Sequence, residues 1–209
     1  MLEQEQYTKY VLAEHLNTKT YEWITPLEAR TTLEDLEGEI DELVRFTHER
    51  ELDDAEKTYF MRGLTRKQRI PQFYGTAKVH KMESPEDPIP FRPVNSQCGS
   101  LSEIASKYVD YYLQKLIPFV PGYCLNSAHV ITKFKKLHAN DISHPNTLIT
   151  TSDAKNMYGN IVPEICISII QKHCDLFTYE YKEHFPKKLI IKLLKFAMTM
   201  NVFRFVDTW

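Results

Sequence analysis

"PQFYGTAKVHKMESPEDPIPFRPV", residues 71–94, reads as two extended arms around an acidic, proline-rich loop. The first arm, Ile70 to Gly75, is short, carries Phe73 and Tyr74, and closes on a glycine; Thr76 to Lys81 continues it as a basic strand or hairpin arm. Residues 83–90 (ESPEDPIP) have the composition of a loop, because proline fixes φ and withholds a backbone N–H. Phe91-Arg92-Pro93-Val94 is extended again, so 71–97 is expected to form a β-hairpin-type unit.

Upstream the chain reads as helical. Thr25-Pro26-Leu27-Glu28 is a helix start: Thr25 caps, Pro26 suits the first helical position and Glu28 reaches back to complete a capping box. Leu33, Leu36, Ile40 and Leu43 then recur at steps of three and four, one apolar stripe on a long acidic helix. That stripe faces either the core or a partner, and self-association through this helix is the partner version. Residues 50–70 are expected to be helical in part and turn basic at their end.

Downstream, Ser100 to Ile117 is the clearest helix, with Ser100 as cap, Glu103 completing a box, and Pro118 and Pro121 ending it. A second helix is expected from Ser127 to about His138, with Val130, Ile131, Phe134 and Leu137 inward and Lys133, Lys135 and Lys136 outward. Leu148 to Asp153 reads as a strand, Pro163 to about Cys174 as a helix, and Leu189 to Met200 as the last helix. Val202 to Trp209 alternates as a strand, with Phe203, Phe205, Asp207 and Trp209 on one side. It needs a pairing partner, either from a longer chain or from elsewhere in the domain. Helices around a hairpin and isolated strands make an α+β fold, divided as 1–69, helical and acidic to 56, and 70–209.

The 209 residues are 43% hydrophobic, with 12 Tyr and 11 Phe, which suits a packed core. No run of 18 apolar residues occurs, so no membrane span is expected, and the N-terminus lacks the blocks of a signal peptide. Cys98, Cys124, Cys166 and Cys174 form no Cys-x-x-Cys pair, and with His173 and His184 they fit no common zinc spacing. They read as reduced thiols of an intracellular protein. The net charge of −2 hides a split: residues 1–56 carry 5 Lys/Arg against 16 Asp/Glu, and residues 57–209 carry 21 against 12. Between Lys57 and Lys81 there are seven basic residues and no acid. Either this part meets a polyanion, or an acidic helix lies beside an ordinary basic face.

"LITTSDAKNMYGNI", residues 148–161, places Asp153 at the end of an apolar run, with Tyr158 five residues on. A carboxylate there is costly to bury unless it binds a cation or a donor; capping the following turn, pairing with a lysine and holding a metal are all open to it. The neighbouring segments bear on this choice. "FYGTAKVHK" (73–81), "FRPVNSQCGS" (91–100), "NSAHVITKFKKL" (126–137) and "TSDAKNMYGNI" (151–161) resemble, in order, segments of reverse transcriptases, most of all those of Penelope-like retroelements.

The resemblance implies right-hand polymerase fingers plus an incomplete palm, preceded by a helical N-terminal region. It implies Asp153 as the first catalytic carboxylate and Mg²⁺ ligand, with the Ala154 carbonyl as a second ligand. Tyr158 would lie under the deoxynucleotide sugar and exclude a 2′-hydroxyl. Lys78 or Lys81, together with Arg92, would hold the dNTP triphosphate, since guanidinium binds phosphate by two parallel hydrogen bonds. Lys57, Arg62, Arg66, Lys67 and Arg69 would track an RNA template and a DNA primer. Two Mg²⁺ ions are expected in the complete enzyme. No Asp-Asp follows Asp153; the sole pair is Asp53-Asp54, and the family's Gly-rich segment is also missing. A fragment that does not polymerise alone is therefore expected, with a non-catalytic nucleic-acid-binding module as the alternative.

Overall fold

The computed structural model describes residues 4–17, 21–48, 52–82, 84, 89–137, 148, 150–154, 157–181, 185–199 and 202–208. Its elements are α1 (Gln4–Val11, continued by a π turn Leu12–Leu16), α2 (Pro26–His48), α3 (Asp54–Thr65), β1 (Gln72–Ala77), β2 (Phe91–Ser96), α4 (Leu101–Leu116), α5 (Ser127–Lys135), α6 (Pro163–Tyr181) and α7 (Lys187–Thr199). Single 3₁₀ turns lie at Val79–Lys81, Ile117–Phe119 and Met157–Asn160. The result is a mixed helix and strand architecture with a two-stranded sheet. Among the described residues no helix is long and apolar enough to cross a membrane.

Two compact units divide the chain, Met1–Val109 with Pro186–Trp209, and Asp110–Phe185. The 69/70 boundary read from the sequence falls inside the first.

In the first unit the expected hairpin is present. β1 and β2 pair antiparallel from Gln72↔Ser96 to Ala77↔Phe91. Phe73 and Phe91 are buried and share one face, which joins Val11, Leu16 and Phe205 in a core cluster flanked by Tyr7, Leu12, Ile89 and Phe203. Gly75 lies under this cluster, where a Cβ would come 2.8 Å from Val11 Cγ2 and 3.0 Å from Phe91 Cδ1. The α1 segment also satisfies backbone groups of the hairpin. Gly75 N–H donates to Tyr7 Oη at 2.7 Å, and Phe91 N–H donates to Glu14 Oε2 at 3.1 Å.

The last segment finds its pairing within this unit. Arg204 bridges Gln72 in parallel: Arg204 N–H donates to Pro71 O, and Phe73 N–H donates to Arg204 O, both at 2.9 Å. Phe203 stacks on Phe73 at 5.3 Å, and Phe205 is buried. The extended run stops there, because Phe205 and Thr208 exchange backbone hydrogen bonds around a two-residue turn in which Val206 has φ 54°. Trp209 lies outside the described residues.

Helix starts follow local chemistry. Thr25 and Glu28 form the expected box, Thr25 N–H to Glu28 Oε2 at 2.7 Å and Glu28 N–H to Thr25 Oγ1 at 3.2 Å. Asp53 and Glu56 form a second box at 2.9 and 2.8 Å, so the chain's Asp-Asp pair is the cap and first residue of α3. The stripe on α2 buries Leu36, Ile40 and Val44, and α2 packs on α7, whose Leu189, Ile190, Leu193 and Phe196 are buried. Each such side chain contributes about 1.5–3 kcal/mol of burial.

In the second unit Tyr112, Phe177 and Phe185 form an aromatic set, with ring separations of 5.3 Å for Tyr112–Phe185 and 5.5 Å for Phe177–Phe185. Three expectations are corrected here. Val130, Ile131 and Phe134 on α5, and Leu137 just after it, are exposed rather than inward: the amphipathic pattern is real, but it specifies an apolar face and not a cover for it. α6 runs on to Tyr181, well beyond Cys174, with no breaker residue between them. Leu148 and Thr150–Asp153 are exposed coil, not a strand; a strand needs a paired edge, which alternation alone does not supply. Ile149 lies outside the described residues.

Candidate functional site

The hairpin brings two of the expected triphosphate ligands to one end of one unit. Arg92 lies opposite Thr76, and one step further Lys78 N–H donates to Pro90 O at 2.8 Å. Lys78, which follows the last residue of β1 and precedes the 3₁₀ turn, therefore lies at the same end of the hairpin as Arg92. Residues 72, 74 and 76 alternate away from buried Phe73, so Tyr74, Thr76 and Arg92 occupy the exposed face. Lys81 ends the 3₁₀ turn Val79–Lys81, and its side chain lies outside the described residues.

Asp153 and Ala154 belong to the second unit, in exposed coil. The backbone of Tyr158 lies in the 3₁₀ turn Met157–Asn160, and its side chain is outside the described residues. An exposed carboxylate beside a backbone carbonyl is a hard-oxygen donor set of the kind Mg²⁺ takes, usually with several waters and substrate phosphates completing the octahedron. Among the described residues no group of three or more His, Cys, Asp or Glu could hold a metal ion.

The basic cluster is distributed along α3 and the segment that follows it. Lys57 pairs with Asp54 at 3.5 Å, Arg62 and Lys67 are exposed, and Arg69 donates its N–H to Gly99 O at 2.8 Å while its stem packs where a Gly99 Cβ would fall. Arg66, at the C-cap, reaches Glu103 Oε2 on α4 at 2.9 Å. Lys107 Nζ meets Glu103 Oε1 at 2.7 Å, and Gly99 N–H donates to Glu103 Oε2 at 2.6 Å. Lys107, the Gly99 N–H and Arg66, in that order, hold the Glu103 carboxyl down at about 2. The expected capping box at Ser100 is corrected: Ser100 Oγ donates back to Gln97 O at 2.7 Å, and Glu103 takes Gly99 N–H instead.

Arg62, Arg66, Glu103, Lys107, Tyr59 and Ile104 line an open cleft of about 500 Å³. Tyr59 Oη donates to Ile104 O at 2.8 Å, and burial, then the nearby Glu103 carboxylate, push that hydroxyl above its usual range. Gly63 lets the helices approach, since a Cβ there would come 2.9 Å from Ile104 Cδ1. Sequence reasoning placed Arg62 and Arg66 but missed Lys107 and Tyr59. The visible signal was only the i, i+4 spacing of Arg62/Arg66 and of Glu103/Lys107. Comparison with protein-family models, with curated protein sequences and with solved structures gives no match.

Proposed function

We propose that this chain carries the nucleotide-binding fingers and the first palm carboxylate of a reverse transcriptase, whose parent activity is RNA-templated DNA synthesis. The observation that supports this is the hairpin, whose register and Lys78 N–H to Pro90 O bond bring Lys78 and Arg92 to the same end of β1 and β2. Two cations at one end, one of them a bidentate donor, suit a triphosphate. In this reading Asp153 and the Ala154 carbonyl hold Mg²⁺. Tyr158 selects deoxynucleotides.

Titration of the purified chain with a fluorescent dNTP in Mg²⁺ tests the reading. Arg92→Ala is expected to weaken binding about ten- to a hundredfold, the weight of a charge-assisted hydrogen bond. Binding that is absent, or indifferent to Arg92→Ala, refutes it. Because a single carboxylate does not by itself hold two metals in the required geometry, the chain alone is expected not to polymerise. Template-dependent incorporation that is lost in Asp153→Ala would overturn that part.

A second reading, nucleic-acid binding without catalysis, is favoured by the exposure of Arg62, Lys67 and Arg69. It requires salt-dependent binding that survives Asp153→Ala and falls when these charges are removed.

A further inference from the structure

Along α3, Tyr59, Arg62 and Arg66 share one face; along α4, Glu103 and Lys107 share the facing one. Three cations and one carboxylate therefore line an open cleft. Among the described residues Arg62 has no ion-pair partner, while Arg66 and Lys107 share Glu103. Tyr59 keeps part of its ring exposed, and its hydroxyl is fixed by Ile104 O. Aromatic surface beside spaced cations is the combination by which proteins hold single-stranded nucleic acid: bases stack and phosphates pair.

We infer that the α3–α4 cleft is a docking site for one single-stranded nucleic-acid segment, and that Glu103 is its internal competitor, occupying Arg66 and Lys107 until phosphates displace it. Arg62 makes the first phosphate contact, Arg66 and Lys107 the later ones, and Tyr59 offers the stacking surface. The inference rests on the nucleic-acid part of the proposed function and adds a site and a built-in brake to it.

The competitor role has an unusual sign. Removing an acid that only supports the fold should leave binding unchanged or weaken it; removing a competitor should strengthen it. Affinity of the full chain for a short fluorescein-labelled single-stranded RNA is measured by anisotropy across a salt series, with folding checked by circular dichroism. Glu103→Gln is expected to tighten binding by up to about fivefold, the weight of one exposed charge interaction. Arg62→Gln is expected to weaken binding and reduce the salt slope by about 0.7, one single-strand phosphate contact. Lys107→Gln, a surface change that spares the Gly99 bond, is expected to weaken it as well.

A folded Glu103→Gln variant with unchanged or weaker binding overturns the competitor role. An unchanged salt slope in Arg62→Gln, or no RNA binding, overturns the site. Arg92-dependent dNTP binding is read separately: its loss with the RNA responses intact refutes only the polymerase reading, and the reverse refutes only the cleft.

Discussion

Replacing Glu103 with Gln isolates the charge of the carboxylate on which α3, α4 and the Gly99 turn converge. The native side chain accepts from Gly99 N–H at 2.6 Å, Lys107 at 2.7 Å and Arg66 at 2.9 Å. Lys107 and Arg66 are largely solvated, so each pair contributes about 0.2–1 kcal/mol. The amide oxygen of Gln can keep the Gly99 bond, but in neutral form and at about half its strength. The amide NH₂ then faces a cation. Discounted for screening, the loss comes to about 1–2 kcal/mol at pH 7.

The pH dependence follows from the direction of the shift. The folded-state value, about 2, lies below the usual 4.5. The stabilisation is therefore complete above about pH 4.5, is lost as pH falls towards 2, and is more than half gone by pH 3. Urea unfolding of both proteins at pH 7, 5, 4 and 3 measures it. A gap that is absent at pH 7, or constant down to pH 3, refutes the assignment.

Three further substitutions test the packing. Gly75→Ala forces a methyl against Val11 and Phe91; it is expected to cost about 1–3 kcal/mol by the usual weight of overpacking, read as a lower urea midpoint. Tyr7→Phe strips the Gly75 N–H of its 2.7 Å partner under the core cluster; a loss of about 1–2 kcal/mol is expected, and an unchanged midpoint would show that water replaces the hydroxyl. Val206→Asn should stabilise by about 0.5–1 kcal/mol, since a β-branched residue at φ 54° carries strain that Asn tolerates; a lower thermal midpoint would contradict this.

The features legible in the sequence are those set by neighbours in the chain. Two proline-bounded extended arms around an acidic loop specify the hairpin, and with it the end at which Lys78 and Arg92 both lie, because hairpin register is local. The Thr25–Glu28 box was equally local, and so was Asp53–Glu56, an Asp-x-x-Glu start that the acidic surroundings obscured. What was not legible needed a second element. Gly75 closes no turn; it is glycine because Val11, many residues away, occupies the space of its Cβ. The apolar arc of α5 announced a buried face, yet burial depends on what lies opposite, and that information is not in the helix. For the same reason residues 148–153 carried a strand pattern, while Leu148 and Thr150–Asp153 are coil.

Charge shows the difference most directly. A tally along the chain counts Arg66 and Lys107 among the cations free to meet a polyanion, and Glu103 as a helix cap. The fold joins all three across two helices, so part of the charge of both cations is already met by a carboxylate. A charge map of the sequence therefore overstates the resting positive charge of this cleft and omits the carboxylate that offsets it.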